Sequence, residues 1–114
     1  MPHLPRTEIQ KIDLVLKDEQ GSLLGGINAE YVNWGVLSIS LLFIKKEQRK
    51  YGYGTQLLKH VEEFARAKGG HLAHVDTLEF QAKDFYLKHG YEVFGILDDC
   101  PKQGYKRYYL QKKL

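Results

Sequence analysis

Hydrophobic and polar positions change their period about halfway along this chain. From Ile12 to Lys17 they alternate, with Ile12, Leu14 and Leu16 on one side and Asp13 and Lys17 on the other, the pattern of a half-buried strand. Asp18 to Gly21 reads as a turn, and Leu23 to Glu30 as the returning strand of a hairpin. Gly25-Gly26 within that strand points to a bulge or a closely packed neighbour. Tyr31 to Gly35 makes a second turn with Trp34 at its tip. Val36 to Ile44 follows as an almost unbroken apolar run, which predicts a strand buried on both faces.

From Gln56 the period lengthens. Leu57, Leu58, Val61, Phe64 and Ala65 recur at helical spacing, with Thr55 placed to cap the start and Gly69-Gly70 to end the helix. Arg66 and Lys68 put positive charge in the last turn, where the helix dipole favours it. His71 to Leu78 is a strand, and Gln81 to His89 a short helix stopped by Gly90. Tyr91 to Leu97 and Tyr105 to Leu110 are two further strands, joined by a loop with Pro101 and Gly104. The order is β-β-β-α-β-α-β-β. It predicts an α+β (mixed α/β) architecture, an antiparallel meander running into β-α-β-α-β-β. The unit from Val36 to Leu78 requires a parallel strand pair in the middle of the sheet.

A length of 114 residues predicts one domain, 1–114, with a real core and no room for a second. The net charge of +3 would help attract a phosphorylated small molecule but does not argue for nucleic acid. Lys106, Lys112 and Lys113 read as a solvated strand face and tail. Cys100 is the single cysteine, which excludes an intrachain disulfide and suits the reducing cytoplasm. Met1 to Pro5 has no charged segment with an apolar run behind it, so no signal peptide is expected. The longest apolar stretch is too short to span a bilayer. Of the histidines, His71 and His74 fall at an odd spacing on one strand and so face opposite sides. His60 and His89 fall on different helices, and no metal site is expected.

The chemistry concentrates where the period changes. Arg49-Lys50-Tyr51-Gly52-Tyr53-Gly54-Thr55 lies between an apolar strand and a helix start. A helix start carries unpaired N–H groups and partial positive charge, and glycine lets an anion approach the backbone, so this is a place for phosphate. A Walker A loop would need a Lys-Ser/Thr pair after its second glycine, and a dinucleotide fingerprint would need Gly or Ala where Leu57 stands. What remains is R-x-x-G-x-G, which on its own also suits a tight strand-to-helix turn. A second motif follows one strand later: Ala82-Lys83-Asp84-Phe85-Tyr86-Leu87-Lys88-His89-Gly90-Tyr91 matches A-x-x-[FL]-Y-x-[KR]-x-G-[FY]. In this order and setting the two resemble the signatures of the GNAT superfamily of N-acetyltransferases, a likeness that covers Ile12 to Leu110.

The resemblance implies a GNAT-like fold whose central parallel strands, here Val36–Ile44 and His71–Leu78, splay apart around the pantetheine arm of acetyl-CoA. Backbone groups of Leu42, Phe43 and Ile44 would pair with the pantetheine amides. Backbone N–H groups of Arg49, Lys50, Tyr51, Gly52, Tyr53, Gly54 and Thr55 would hold the pyrophosphate, with the Arg49 side chain adding charge. Tyr86 matches the tyrosine that often acts as general acid toward the departing thiolate, though its spacing also suits a core aromatic beside Phe85. For a general base the nearest carboxylates are Asp76 and Glu30. Asp76 is expected on a central strand, where a carboxylate is costly without a partner. Trp34 and Tyr31 are candidates for the acceptor side or for a packed hairpin tip.

Two departures stand out. Glu79, with Gln81 nearby, replaces an asparagine that often contacts pantetheine. The strand and two helices that usually precede the first predicted strand have no counterpart in the few residues before Ile12, and Pro2 and Pro5 discourage a helix there. The expected function is therefore an acetyl-CoA-dependent N-acetyltransferase acting on a small-molecule or peptide amine, with a homodimer as one way of closing the acceptor site. The alternatives are a non-catalytic acyl-CoA-binding or regulatory module, and an interaction domain keeping only the fold.

Overall fold

A computed structural model describes residues 6–78 and 82–114. Its elements are β1 (Ile9–Lys17), β2 (Leu23–Val32), β3 (Val36–Ile44), a 3-10 turn (Lys46–Tyr51), α1 (Tyr53–Ala67), β4 (Leu72–Leu78), α2 (Lys83–Lys88), β5 (Glu92–Asp98) and β6 (Lys106–Lys113). The readings made at Pro2, Pro5, Glu79 and Gln81 lie outside the described residues. The six strands form one sheet in the order β1-β2-β3-β4-β6-β5. The β3–β4 pair is parallel and the other pairs are antiparallel, as the crossover through α1 demands.

The sheet is covered on one side by both helices. Register carries Ala29, Ile39, Val75 and Leu110 across one row, and Tyr31, Leu37 and Ala73 across the next. These side chains pack against Leu57, Leu58, Val61 and Ala65 of α1 and Tyr86 of α2. Leu58 and Val61 are fully buried, each contributing about 1.5–3 kcal/mol. The intervening positions, Asn28, Glu30, Ser38, His74 and Asp76, face the other way and keep contact with solvent. No helix among the described residues covers that side.

The helix ends follow from glycine. Gly52 caps the start of α1 at φ 76°, a left-handed conformation that costs side-chain-bearing residues. The start is thus at Tyr53, two residues before the Thr55 cap expected from sequence. At the other end Gly70 N–H donates to the Ala65 carbonyl and Gly69 N–H to that of Arg66, a Schellman closure with Gly69 at φ 87°.

Gly25 and Gly26 answer to close neighbours. A Cβ on Gly25 would lie 2.5 Å from Ile44 Cδ1 and 2.6 Å from the Phe43 carbonyl oxygen; on Gly26 it would lie 2.9 Å from the Leu14 carbonyl oxygen. The irregularity that shapes the sheet falls elsewhere. Asn28 pairs with Leu41 and Ala29 with Ile39, which leaves Ser40 as an extra residue on β3. Such a bulge bends the strand that carries it. Pairing between β3 and β4 runs from Val36/Leu72 to Ile39/Val75 and stops there. Beyond it, β3 stays with β2 while β4 stays with β6 as far as Leu78/Arg107. The two central strands therefore part. Val36–Ile44 is not buried on both faces along its length: Leu41, in register with Asn28 on the uncovered face, is 51% exposed, and Leu42 to Ile44 are half-buried where β4 has peeled away.

Candidate active site

The parted strands enclose a cleft of about 960 Å³. One wall is Ser40 to Ile44 of β3 and the other is Val75 to Leu78 of β4. One end reaches Arg49, Gly52, Gly54 and Thr55 at the start of α1, with Phe85, Tyr86, Lys88 and His89 of α2 beside it; Asp76 and Arg107 also line it. Val75 and Thr77 point to the helix side and Asp76 to the open side. The cleft thus passes from one face of the sheet to the other.

The α1 end suits an anion. The first turn of α1 has no side-chain cap, so its leading N–H groups are left for a ligand or water. The space where a Gly52 side chain would stand is empty, whereas a Cβ on Gly54 would press on the Phe85 ring at 3.3 Å. One glycine thus leaves the turn open and the other lets α2 approach. Arg49 Nε donates to the Ile44 carbonyl at 3.1 Å, tying the 3-10 turn to the end of β3. Its Nη groups have no partner among the described residues. With Lys88 lining the same end, the cleft is cationic there.

The sequence-based candidates divide clearly. Leu42, Phe43, Ile44, Arg49, Gly52, Gly54, Thr55, Asp76 and Tyr86 line the cleft; Lys50, Tyr51, Tyr53 and Glu30 do not. Tyr51 turns outward, 58% exposed, with its ring 5.9 Å from that of Tyr53. Glu30 lies on the uncovered face, in register with Lys11 and Ser38. Asp76 does have a partner: it is ion-paired with Arg107 and open to solvent, so the burial cost expected for it does not arise. Tyr31 and Trp34 belong to the opposite end of β3. Tyr31 is buried, its hydroxyl donating to the Lys68 carbonyl, and neither residue lines the cleft.

Tyr86 is almost wholly buried, edge-on to both Phe85 and Tyr91 at 5.3 Å. It is thus a core aromatic as well as a cleft residue. Burial pushes its phenol pKa up, so it stays protonated as a hydrogen-bond donor. No described residue hydrogen-bonds its hydroxyl.

Three features escape the sequence reading. Thr55 Oγ1 meets His89 Nε2 at 2.9 Å instead of capping α1. Arg107 reaches Asp76 across the strands. Glu62 is a buried carboxylate that accepts from the Tyr91 hydroxyl at 2.7 Å and from Lys112 Nζ at 3.0 Å, so Lys112 is no solvated tail residue. The one signal for Glu62 is its place beside Val61 and one turn after Leu58, on the apolar stripe of α1. No group of metal-ligating side chains is found among the described residues.

A ligand cleft between parted parallel strands, ending at a glycine-flanked helix start, is the architecture of a protein that holds an extended, phosphate-bearing molecule. The chain belongs to the acetyltransferase (GNAT) family, whose model matches residues 5–91. It is 34% identical over 84 residues to blasticidin-S acetyltransferase of Streptomyces morookaense, covering 73% of this chain and 61% of that protein. The chain spans about three fifths of the length of that relative and of an acetyltransferase from Agrobacterium fabrum, and 18% of an amino-acid acetyltransferase from Ralstonia nicotianae. A crystal structure of an acetyltransferase from Bacillus cereus superposes with a TM-score of 0.86 at 37% identity, over 93% of this chain and 74% of that one. An aminoglycoside 6'-N-acetyltransferase complexed with coenzyme A shares the fold, with a TM-score of 0.80 at 19% identity over 90% and 72% of the two chains. No helix among the described residues is long and apolar enough to cross a membrane.

Proposed function

We propose that this protein is an acetyl-CoA-dependent N-acetyltransferase, one domain over 1–114, whose acceptor is a small-molecule or peptide primary amine. The observation that carries the reading is the cleft: the strands part where an extended pantetheine would need a strand edge, and the gap ends at an uncapped helix start where a pyrophosphate would need N–H groups. When bound, acetyl-CoA supplies an acetyl thioester for direct attack by the amine, releasing the CoA thiol.

The chain's own groups then have distinct tasks. The β3 edge at Leu42, Phe43 and Ile44, free of β4, offers backbone N–H and C=O groups to an extended ligand, as an added strand would use them. The turn from Arg49 to Thr55 offers N–H groups to phosphates, and Arg49 and Lys88 add a positive field. Tyr86 presents a neutral hydroxyl to the sulfur as negative charge gathers there. Asp76 reaches the cleft from the uncovered face, where an acceptor has open access. It is the better placed of the two candidate bases, since Glu30 does not line the cleft. A cytoplasmic location suits the lone Cys100, and a second subunit over the uncovered face would close the acceptor side.

A second reading, an acyl-CoA-binding or regulatory module without transfer, is favoured by one observation: Asp76 is paired with Arg107, an interaction that competes with a role as base. Calorimetric titration with acetyl-CoA, then thiol release against a panel of amines, separates the two. Binding with amine-dependent release is expected; binding with no release for any amine supports the module, and no binding refutes both.

A further inference from the structure

His89 joins the two halves of the cleft. It caps the C-terminal end of α2, three residues after Tyr86. Its Nδ1 lies 2.7 Å from the Phe85 carbonyl oxygen, which can only accept, so Nδ1 carries a hydrogen. In the neutral ring Nε2 is then an acceptor, and the Thr55 hydroxyl donates to it at 2.9 Å. Thr55 is the third residue of α1, within the turn whose leading N–H groups lack a side-chain cap. The Phe85 ring lies tilted against His89 at 4.4 Å between centroids and also lies against Gly54. The contacts among Thr55, His89, Phe85 and Gly54 form a continuous bridge from the first turn of α1 to the helix that carries Tyr86.

This bridge has two hydrogen-bonding states in one geometry. With a neutral ring the Thr55 hydrogen points into His89. With a protonated ring Nε2–H donates to Oγ1, and the Thr55 hydroxyl is released to donate elsewhere. We propose, on the acyl-CoA reading above, that His89 is a positioning residue of the phosphate cradle, turning the Thr55 hydroxyl toward the ligand's phosphates when the imidazole takes up a proton. The anion, the α1 turn and the Thr55 hydroxyl then act together. The proton that His89 gains adds a positive charge beside the phosphates, so affinity rises as pH falls.

The charged groups around the bridge do not duplicate this role. Arg49 in the 3-10 turn and Lys88 on α2 line the same cleft, but neither hydrogen-bonds Thr55 or His89. On β6, Lys112 approaches Gly90, the residue after His89, but its ammonium is held by Glu62 of α1. Histidine is the side-chain type suited to a charge change in the neutral range.

The test is calorimetric titration with dephospho-CoA between pH 5.5 and 8. Its pyrophosphate linkage has no ionisation in that range, so a pH dependence belongs to the protein. The wild type is expected to bind about tenfold more tightly at the acid end, the gain for one unit of linked pKa change. His89→Leu should bind more weakly at the acid end and show no slope. His89→Gln, whose amide can donate to Thr55 at any pH, should bind more tightly than His89→Leu with no slope, and Thr55→Val should flatten the slope in part, leaving only the effect of the ring's charge; a Thr55→Val protein with the full wild-type slope overturns the role given to the hydroxyl. A His89→Leu or His89→Gln protein that keeps the wild-type slope overturns the proposal. No binding by the wild type at any pH overturns the acyl-CoA reading itself.

Discussion

At the scale of single residues, the two buried tyrosines make the most definite statements. Tyr86 is raised by burial, and Tyr91 by burial and then by its hydrogen bond to the Glu62 carboxylate. Folded phenols with raised pKa values stay neutral while those of the unfolded chain ionise above about pH 10. Their contribution to stability is complete below that pH and is lost as pH rises toward the folded values. Each should steepen the alkaline loss of stability by about 1.4 kcal/mol per pH unit. Urea denaturation from pH 9 to 11 is expected to show this, with Tyr86→Phe or Tyr91→Phe each removing one such increment; unchanged slopes in both variants would refute it. In the assay, Tyr86→Phe should lower turnover by ~10²-fold, the low end for general acid catalysis, and leave the acetyl-CoA Kd nearly intact. Unchanged turnover would leave Tyr86 a core aromatic only.

At the scale of elements, the site depends on how β3 is steered. Phe43 and Ile44 form the cleft wall and also close over the backbone of Gly25. Gly25→Ala puts a methyl group within 2.6 Å of a backbone oxygen, which a strand can relieve only by moving. The expected result is a loss of about 1–3 kcal/mol, as for overpacked cores, and weaker acetyl-CoA binding, read by denaturation and calorimetry. Gly95→Ala is the control: its nearest neighbour would be 3.9 Å away, and stability should hardly change. Equal effects of the two would mean that the close approach at Gly25 is not what holds the wall. The elements themselves are legible in the sequence, because alternation, helical spacing and terminal glycines are local signals. The glycine loop and Tyr86 are legible through motif likeness. The bulge at Ser40 is not, since Val36 to Ile44 reads as one smooth apolar run and only the register against β2 reveals the extra residue. The Asp76–Arg107 and Thr55–His89 pairs are equally hidden, because their partners lie 31 and 34 positions apart in sequence.

At the scale of the whole molecule, α1 and the last strand are joined by a buried charge. Glu62 of α1 is 2% exposed and takes hydrogen bonds from Tyr91 and from Lys112, fifty residues further on. Arg66 stands at 4.0 Å, too long to replace either. A buried ion pair of this kind is weak evidence for net stabilisation, but removing one partner leaves the other uncompensated. Lys112→Met should therefore destabilise the fold by about 3–5 kcal/mol, the range for a broken buried pair. Glu62→Gln in the same chain should recover much of that, since a neutral amide can still accept from Tyr91 without demanding a cation. The measurement is urea denaturation of the two single variants and the double variant. Recovery in the double variant identifies the uncompensated charge as the cause; simple addition of the two single losses would instead point to lost packing of the lysine stem against the Tyr91 ring, whose centroid lies 5.5 Å from Nζ. Because β6 also carries Arg107, and Tyr91 packs on Tyr86, loosening this joint should reach the cleft. Lys112→Met is accordingly expected to lower acetyl-CoA affinity without touching the ligand, and the double variant to restore affinity in step with stability.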